Sequence, residues 1–286
     1  MMIERERHWV LQMLAVVSVV TIFCFGSLWL YALRPLKALP QASGSRISWS
    51  TEDWAHLSAY GERCIVVNNV WNKSSKNRDF QQEVFAENIA GKRVLGWRWR
   101  VPWRLLPSIA SYPELICGNK PWDQPIGTFD GLPFHPGEKH LTATYNVHLR
   151  ATGTYNMAFS LWTVNQLPPS PHSVSCEIMI WIANSGQKPA GLRRGSIAVD
   201  GATYDIYINQ HHHDASGANK NEWTYVAFVA RAPQLNGQLN LSAFLEDLQQ
   251  KKILPPNQWL SDVELGNEVT EGSGIAEIEN LALKIE

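Results

Sequence analysis

The chain has 286 residues, of which 25 are Lys or Arg and 26 are Asp or Glu, so its formal net charge is −1 at pH 7. A chain this close to neutral has no net field that would attract nucleic acid or an acidic polymer, and we exclude both as partners. The sequence contains 13 Trp, and so many aromatic side chains without strong charge favour a surface that stacks on neutral sugar rings.

The N-terminal region predicts a membrane anchor. Residues 1–8 form a short tail, and the 25 residues from Trp9 to Leu33 carry no charged side chain, which is enough to cross a bilayer. Pro40-Gln41-Ala42 is a poor signal-peptidase site, so we expect an uncleaved signal-anchor, with secretion after cleavage as the alternative. Residues 34–48 are rich in Pro, Gly and small residues and are predicted to be a linker. The basic residues that flank the span, Arg5 and Arg7 on one side and Arg34 and Lys37 on the other, do not settle its orientation. We expect residues 49–286 to lie outside the cytoplasm, in the periplasm or the extracellular space.

Residues 49–286 predict an all-β domain, because short alternating segments are separated by turn residues. The predicted strands are Arg63–Trp71, Arg93–Val101, Leu141–Leu149, Tyr155–Val164, Ser175–Ala183, Ile197–Asn209, Trp223–Ala230, Asp262–Val269 and Ile278–Ile285. One segment, Leu241 to Lys251, predicts a helix with Asn240 or Ser242 as its cap. Many antiparallel strands with one helix indicate a curved two-sheet β-sandwich of the jelly-roll type.

The cysteines predict no disulfide framework. Cys24 lies inside the predicted span, and the three that remain, Cys64, Cys117 and Cys176, are an odd number. We expect each of them to be a buried free thiol rather than a catalytic one.

The segment Cys176 to Trp181 carries the first candidate catalytic group. Glu177, Met179 and Trp181 alternate with three Ile residues, so one strand face is aliphatic and the other presents an acid beside an indole. A carboxylate is costly to keep among apolar neighbours unless it is paired or functional. A second alternating segment ends at Glu268, and two strands that each bring a Glu to one groove are what glycoside hydrolysis needs.

Two other segments have the same pattern of polar and aromatic residues on one face. Asn69 shares a face with Trp71, and Ser160 shares a face with Trp162, so we expect these side chains to line the concave side of the sandwich. Glu264 is predicted to be a solvated strand residue or a supporting acid rather than a catalytic group.

The order of five segments resembles family 12 of the glycoside hydrolases. These segments are Asn68–Trp71, Tyr112–Trp122, Gly153–Trp162, Cys176–Trp181 and Leu265–Glu268. The resemblance extends from about Trp54 to Glu286 and implies a retaining endo-β-1,4-glucanase or xyloglucanase on a curved jelly roll with one helix.

The same resemblance implies individual roles. Glu177 matches the nucleophile and Glu268 the general acid/base. Asn69 and Trp71 match sugar-binding positions on the glycone side, and Met179 and Trp181 match residues beside the nucleophile. Ser160 and Trp122 complete the expected substrate-binding set, and 188–191 looks like the loop that crosses one end of the cleft.

The chain departs from the family pattern at a few positions. Ser160 stands where the family often has an acid close to the nucleophile. A serine can donate a hydrogen bond to Glu177, but it removes a carboxyl that would tune the pKa of the nucleophile. Cys117 and Cys176 occupy positions where the family frequently has aromatic or other residues.

Three consecutive histidines, His211, His212 and His213, are expected to lie in an exposed loop. Adjacent residues on an extended chain point in opposite directions, so three in a row rarely converge on one metal. A contact at the rim of the cleft is the second interpretation and a metal site is the last.

The sequence thus predicts a monomeric, membrane-anchored retaining endo-β-1,4-glucanase that acts on cellulose, mixed-linkage glucan or xyloglucan. Protonation by one Glu and attack by the other supply the chemistry, so neither a metal nor an organic cofactor is expected. The alternative is a non-catalytic β-glucan-binding protein, or a helper in polysaccharide export, with the same cleft.

Overall fold

The computed structural model describes residues 39–59, 63–72, 79–104, 108–122, 129–213 and 220–286, which belong to one compact unit that begins at Lys37. These residues form fifteen strands, one α-helix and one short 3₁₀ helix. In chain order the elements are β1 Ser45–Ser50, β2 His56–Ala59, β3 Cys64–Val67, β4 Gln81–Ile89, β5 Lys92–Val101, β6 Glu114–Gly118, β7 Leu141–Val164, the 3₁₀ helix Pro171–Ser173, β8 Val174–Ser185, β9 Leu192–Val199, β10 Ala202–His213, β11 Glu222–Ala230, β12 Asn236–Asn240, α1 Leu241–Gln250, β13 Trp259–Leu260, β14 Asp262–Gly266 and β15 Val269–Ile285.

The strands form the predicted two-layer sandwich, and the long strand β7 belongs to both layers. Its N-terminal half pairs with β15, which continues through β5 and β4 to β1. Its C-terminal half pairs with β14 on one side and with β8 on the other. From β14 the second layer continues to β6, β3 and β2, and from β8 it continues to β11, β10 and β9.

Two glycines allow β7 and β15 to cross closely where the chain passes between layers. Gly153 lies opposite Gly272, and both have positive φ angles, +94° and +104°. A Cβ atom on Gly272 would lie 2.0 Å from the carbonyl oxygen of Thr152, so a side chain there would push the strands apart.

The alternation read from the sequence decides which side chains enter the core. Met157, Phe159 and Leu161 of β7 pack in one hydrophobic cluster with Ile178 and Ile180 of β8. Residues at the intervening positions, among them Met179 and Trp181, form a separate cluster on the opposite face of the same strands. The predicted division of these strands into a core face and a cleft face is confirmed.

The predicted helix is confirmed as α1, and Asn240 caps it. The Asn240 side chain accepts a hydrogen bond from the backbone N–H of Ala243 at 3.1 Å, which satisfies one of the free donors of the first turn. Ser242, the other cap candidate, instead accepts a hydrogen bond from Leu141 at 2.8 Å. Phe244 packs its ring against Tyr204 and Phe228, so the helix closes one part of the core.

Several strand predictions need correction. The two strands predicted within 141–164 are one continuous strand, β7, and the strand predicted at Ile197–Asn209 is a hairpin of β9 and β10 with its turn at residues 200–201. The strand predicted at Asp262–Val269 ends at Gly266, so Glu268 lies in the connection to β15. Strands β8 and β11 run parallel rather than antiparallel, because the β9–β10 hairpin intervenes between them in the chain.

The prediction that Cys64 and Cys117 are free thiols is wrong. Their sulfur atoms are bonded, and the two residues are direct partners in the pairing of β3 with β6. The pair is separated by 53 residues in the chain, so only the strand pairing shows that the two belong together. Cys176 is a buried free thiol, as predicted.

The predicted span at residues 9–33 lies outside the described residues. Within the part of the chain that the structure describes, no helix is long and apolar enough to cross a membrane. The predicted linker at 34–48 overlaps the folded domain, because β1 begins at Ser45 and pairs with β4. The backbone N–H of Gly44 also donates to the buried carboxylate of Glu87 at 3.1 Å, so the domain includes residues that composition alone assigned to a tether.

Candidate active site

The second layer carries a groove of about 440 Å³. Its wall is largely aromatic, as expected for a surface that stacks on sugar rings. The aromatic residues that line it are Trp54, Trp71, Tyr112, Trp122, Trp162, Trp181, Trp223 and Tyr225. All eight residues that the sequence assigned to the site face this groove, namely Asn69, Trp71, Trp122, Ser160, Glu177, Met179, Trp181 and Glu268.

Glu177 projects from β8 into the groove, on the face opposite the core. Its Oε2 atom accepts a hydrogen bond from the indole Nε1 of Trp223 at 2.9 Å, and its register partner on β7 is Trp162. Desolvation raises the pKa of Glu177 to about 7, and the Trp223 hydrogen bond and the positive charge of Lys120 act in the opposite direction. Glu177 is therefore a carboxyl that changes its charge near neutral pH.

Glu268 reaches the same groove from the connection between β14 and β15. The amide of Asn156 holds it twice: Nδ2 donates to the carboxylate Oε2, and Oδ1 accepts from the Glu268 backbone N–H at 2.8 Å. Asn267 donates to the backbone oxygen of Asn156 and accepts from the Trp97 indole at 2.7 Å, so the clamp is fixed to the core. Burial, followed by the nearby charge of Glu177, raises the pKa of Glu268 to about 8.

A buried polar cluster lies beneath the aromatic wall, and the sequence did not predict it. The ammonium of Lys120 lies 2.7 Å from both oxygens of Glu114 and 2.9 Å from Oε1 of Glu264. Asn69 donates to Glu114 at 2.7 Å, so the amide predicted to bind sugar is committed to the cluster. Burial raises the pKa of Glu264 to about 8 and the pKa of Glu114 well above its ordinary value.

Glu264 is not solvated, because its exposed fraction is 1%. Its Oε1 atom accepts the indole N–H of Trp162 at 3.1 Å, in addition to the ion pair with Lys120. This geometry favours the second of the two predicted roles, that of a supporting acid. The register of β6 with β14, which no short motif reveals, is what brings this carboxyl to Glu114 and Lys120.

Ser160 lines the groove, but its position differs from the prediction in one respect. It lies opposite Met179 on β8 and opposite Glu264 on β14, two pairs along from the pair that Glu177 forms with Trp162. The hydrogen bond expected from Ser160 to Glu177 is instead supplied by Trp223. The strand register explains this, because direct partners across a pair are closer than diagonal ones.

Three indoles connect the polar cluster to Glu177. Trp122 contacts Trp162 and Trp223 with ring centroids 5.4 Å and 5.5 Å away, and Trp162 lies 5.9 Å from Trp223. Trp223 was missed as a site residue, although the sequence held a signal for it. Trp223, Tyr225 and Ala227 alternate with Thr224 and Val226 in the same period of two that identified Glu177.

The three histidines belong to the end of β10 rather than to a loop, so the expected loop placement is wrong. A register shift between Asn209 and His212 turns His212 and His213 toward the groove, and His212 stacks on Tyr225 with centroids 4.9 Å apart. His211 points elsewhere and lies 3.1 Å from Glu222. The described residues contain no group of three or more His, Cys, Asp or Glu side chains suited to a metal ion.

Two carboxyls with raised pKa values, those of Glu177 and Glu268, line one aromatic groove on a β-sandwich. This combination of fold and site defines the class of carbohydrate-cleaving enzymes that work with a carboxyl pair.

The comparisons with known proteins agree with that class. Residues 139–286, slightly more than half of the chain, match the family described as Glycosyl hydrolase family 12. The chain is 26% identical over 232 residues to Endoglucanase S of Pectobacterium parmentieri, covering 80% of this chain and 84% of that protein. The native family 12 xyloglucanase of Bacillus licheniformis has a TM-score of 0.73 and 25% identity, covering 84% of this chain and 100% of the other.

A third relative matches over a shorter region. The probable xyloglucan-specific endo-beta-1,4-glucanase A of Aspergillus flavus is 32% identical over 103 residues, or 35% of this chain and 39% of that protein. The chain belongs to glycosyl hydrolase family 12 and is a glycoside hydrolase. The family resemblance read from the five motifs is confirmed.

Proposed function

We propose that the protein is a retaining endo-β-1,4-glucanase in which Glu177 is the nucleophile and Glu268 the general acid/base. Glu177 attacks the anomeric carbon of a bound glucan while Glu268 protonates the departing glycosidic oxygen, which gives a covalent glycosyl-enzyme. Glu268, now a carboxylate, removes a proton from water, which attacks the anomeric carbon and releases Glu177. Atoms and charges balance over the two steps without a metal or cofactor.

The observation that carries this assignment is the arrangement of the two carboxyls in one groove. Both line the groove, and the charge of Glu177 raises the pKa of Glu268, so the two are close enough to titrate as a coupled pair. The hydrogen bond from Trp223 and the charge of Lys120 favour the ionised form of Glu177, whereas the charge of Glu177 favours the protonated form of Glu268. These effects favour an ionised Glu177 beside a protonated Glu268, which is the protonation state that attack by Glu177 and protonation by Glu268 require.

The proposed substrate is a β-1,4-linked glucan. The names of the similar proteins include an endoglucanase and xyloglucanases. The aromatic wall of the groove offers stacking planes to pyranose rings, and the described residues that line it form no ring of like charges that would suit an ionised sugar. Cellulose, mixed-linkage glucan and xyloglucan are the three polymers to compare.

The direct test combines product sizing with product stereochemistry. A chain that begins at Lys37, where the compact unit starts, is incubated with each glucan, and the oligosaccharides are separated by size. We expect early products of mixed lengths, as internal cleavage requires, and a first-formed reducing end in the β configuration by ¹H NMR. Glu177→Gln, prepared in the same way, is the control. An α product formed first would contradict direct attack by Glu177.

We further propose that the domain works outside the cytoplasm and is held there by residues 9–33, as a monomer. The disulfide between Cys64 and Cys117 supports this location, because such bonds persist in oxidising compartments. The test is to express the full chain, wash the membranes with alkaline carbonate and probe the intact cells with protease. Retention in the membrane together with cleavage from outside is expected, and activity that appears only in the cytoplasm would contradict the proposal.

A further inference from the structure

The loop from β8 to β9, residues 186–191, brings the side chain of Gln187 to the groove. Asn184 holds the backbone of Gln187 on both sides. Its Oδ1 accepts from the Gln187 N–H at 3.1 Å, and its Nδ2 donates to the Gln187 carbonyl oxygen at 3.0 Å. The loop is also joined to β7, because Gly186 forms a bridge with Tyr155. The backbone that carries Gln187 is therefore fixed beside the groove.

The side-chain amide of Gln187 is held at one end only. Its Oε1 atom accepts a hydrogen bond from the hydroxyl of Thr270 at 2.8 Å, and Thr270 is buried in β15. Within the described part of the chain, the Nε2 atom has no hydrogen-bond partner, and the protein does not enclose it. An amide nitrogen carries two N–H donors in the plane of its carbonyl. The bond to Thr270 therefore sets the direction of two unused donors.

The contacts that support Gln187 lead to the segment that carries Glu268. Asn184 is the register partner of Asn156, and the amide of Asn156 holds both the carboxylate and the backbone N–H of Glu268. Thr270 lies two residues after Glu268 in the chain. The side chains of Gln187 and Glu268 both line the groove. One rigid set of hydrogen bonds thus positions the proposed acid/base and the Gln187 amide together.

An unused neutral donor in this groove suits the oxygen of an uncharged hydroxyl. The aromatic wall supplies stacking planes, whereas a few placed polar groups are what fix the orientation of a bound ligand. Asn69, the amide that the sequence assigned to sugar binding, donates its N–H to Glu114 instead. Gln187 presents the same chemical group to the groove with its donors free of such a bond.

We propose that Gln187 is a substrate-binding residue: its Nε2 donates a hydrogen bond to a hydroxyl of the sugar unit that lies against Glu268. This contact sets the position of the glucan chain relative to the acid/base. The inference rests on the proposed function, which supplies the ligand, an uncharged β-glucan. Gln187 itself exchanges no proton and forms no bond with the sugar carbon.

Steady-state kinetics on soluble mixed-linkage glucan give the first test, with Gln187→Met as the variant. Methionine keeps the length of the side chain but has no N–H donor. A donor that binds the ground state and the transition state equally affects KM and leaves kcat unchanged. We expect KM to rise about fivefold, the size of one neutral hydrogen bond. An unchanged KM overturns the inference, and a fall in kcat alone would mean that the residue only supports Glu268.

Two controls separate the donor from the packing of the loop. Thr270→Val removes the hydroxyl that orients the amide but keeps the donors, so a smaller rise in KM is expected. Gln238→Ala alters an exposed glutamine of β12 and is expected to change nothing. Should Gln187→Met fold poorly because the Thr270 hydroxyl is left unpaired, Gln187→Met/Thr270→Val removes both partners and is expected to show the same rise.

Affinity electrophoresis measures glucan binding without turnover. Wild type and Gln187→Met are run in native gels that contain hydroxyethyl cellulose, mixed-linkage glucan or xyloglucan. We expect Gln187→Met to be retarded less than the wild type by each glucan that the wild type binds, and equal retardation overturns the inference. A wild type that binds a glucan but cleaves none overturns the proposed function, while the retardation still decides the role of Gln187. A wild type that neither binds nor cleaves any of them overturns both.

Discussion

The indole nitrogen of Trp223 lies 2.9 Å from Oε2 of Glu177, so a residue of β11 holds the carboxyl that β8 presents to the groove. The two strands run parallel, and Trp223 lies just before the paired stretch that begins with Thr224 opposite Cys176. Trp223 also packs against Trp122 and Trp162, which fixes its ring. A single hydrogen bond from a rigid donor thus orients the proposed nucleophile.

Trp223→Phe removes this hydrogen bond while it keeps an aromatic ring. Because the bond stabilises the carboxylate, the pKa of Glu177 is expected to rise further and the acidic limb of the kcat/KM profile to move to higher pH. We expect a loss of about tenfold in kcat, the size of one hydrogen bond to a charged group. Rates from pH 4 to pH 9 check this, with Trp122→Phe as a matched control that alters the same cluster without touching Glu177. Identical acidic limbs in all three proteins would contradict the role of Trp223.

Glu177→Gln and Glu268→Gln are each expected to lower turnover by several orders of magnitude with little change in folding. Each removes a reacting group but keeps the shape of a side chain that faces the groove. Glu264→Gln is expected to cost much less, because Glu264 is buried and supports Trp162 and Lys120 rather than the substrate. Initial rates on a soluble glucan, with circular dichroism as the folding control, show which of the three variants loses the most turnover. Greater damage from Glu264→Gln would transfer the acid/base role to that residue.

The pH dependence of kcat/KM is expected to be bell-shaped with its maximum between about pH 7 and pH 8. The acidic limb reflects ionisation of Glu177, whose pKa is about 7, and the alkaline limb reflects loss of the proton from Glu268, whose pKa is about 8. The two values belong to a coupled pair in which Glu177 ionises while Glu268 still holds its proton, so Glu268→Gln is expected to leave the pH at which Glu177 titrates nearly unchanged. The titration of Glu177 in that variant can be followed by the ¹⁵N chemical shift of the Trp223 indole, because its N–H donates to the Glu177 carboxylate. A maximum of kcat/KM near pH 4 would contradict the claim that burial raises the pKa values of Glu177 and Glu268.

Glu177→Gln is expected to make the folded protein more stable than the wild type at pH 8, by about 3 kcal/mol. Burial raises the pKa of Glu177 from 4.5 to about 7. Between those values the folded protein keeps a proton that the unfolded chain has released, so the free energy of unfolding falls as pH rises. At pH 4 both states hold the proton and the two proteins are expected to differ little. Urea unfolding at pH 4 and pH 8 measures the difference, and a variant that is less stable at pH 8 would contradict the cost of burying the carboxylate.

Loss of the Cys64–Cys117 bond is expected to destabilise the domain by about 2–5 kcal/mol. The bond closes a loop between residues 53 positions apart, so it restricts the unfolded chain strongly. The double variant Cys64→Ser/Cys117→Ser and the reduced wild type are compared in thermal melts. Cys176→Ser, which alters the free buried thiol, is the control for loss of a cysteine outside the bond. Equal melting temperatures for oxidised and reduced wild type would show that the bond contributes nothing.

The sequence by itself determined which strand faces meet the core and which meet the groove. A period of two assigns Glu177, Met179 and Trp181 to one face of β8 whatever lies beside the strand, because side-chain direction is a local property of an extended chain. For the same reason Asn240 could be identified as a helix cap candidate. The same alternation assigns Trp223 and Tyr225 to one face of β11.

Only the tertiary structure decided which of these faces touch one another. Strand register joins residues far apart in the chain, and no local pattern records it: Cys64 with Cys117, Glu264 with Ile116, two residues from Glu114, and Glu177 with Trp162. For that reason the disulfide, the buried ion pairs of Lys120 and the indole that holds Glu177 were all absent from the sequence prediction. Local periodicity sets the direction of a side chain, whereas its charge state and its partners depend on the pairing of distant strands and on the water that this pairing excludes.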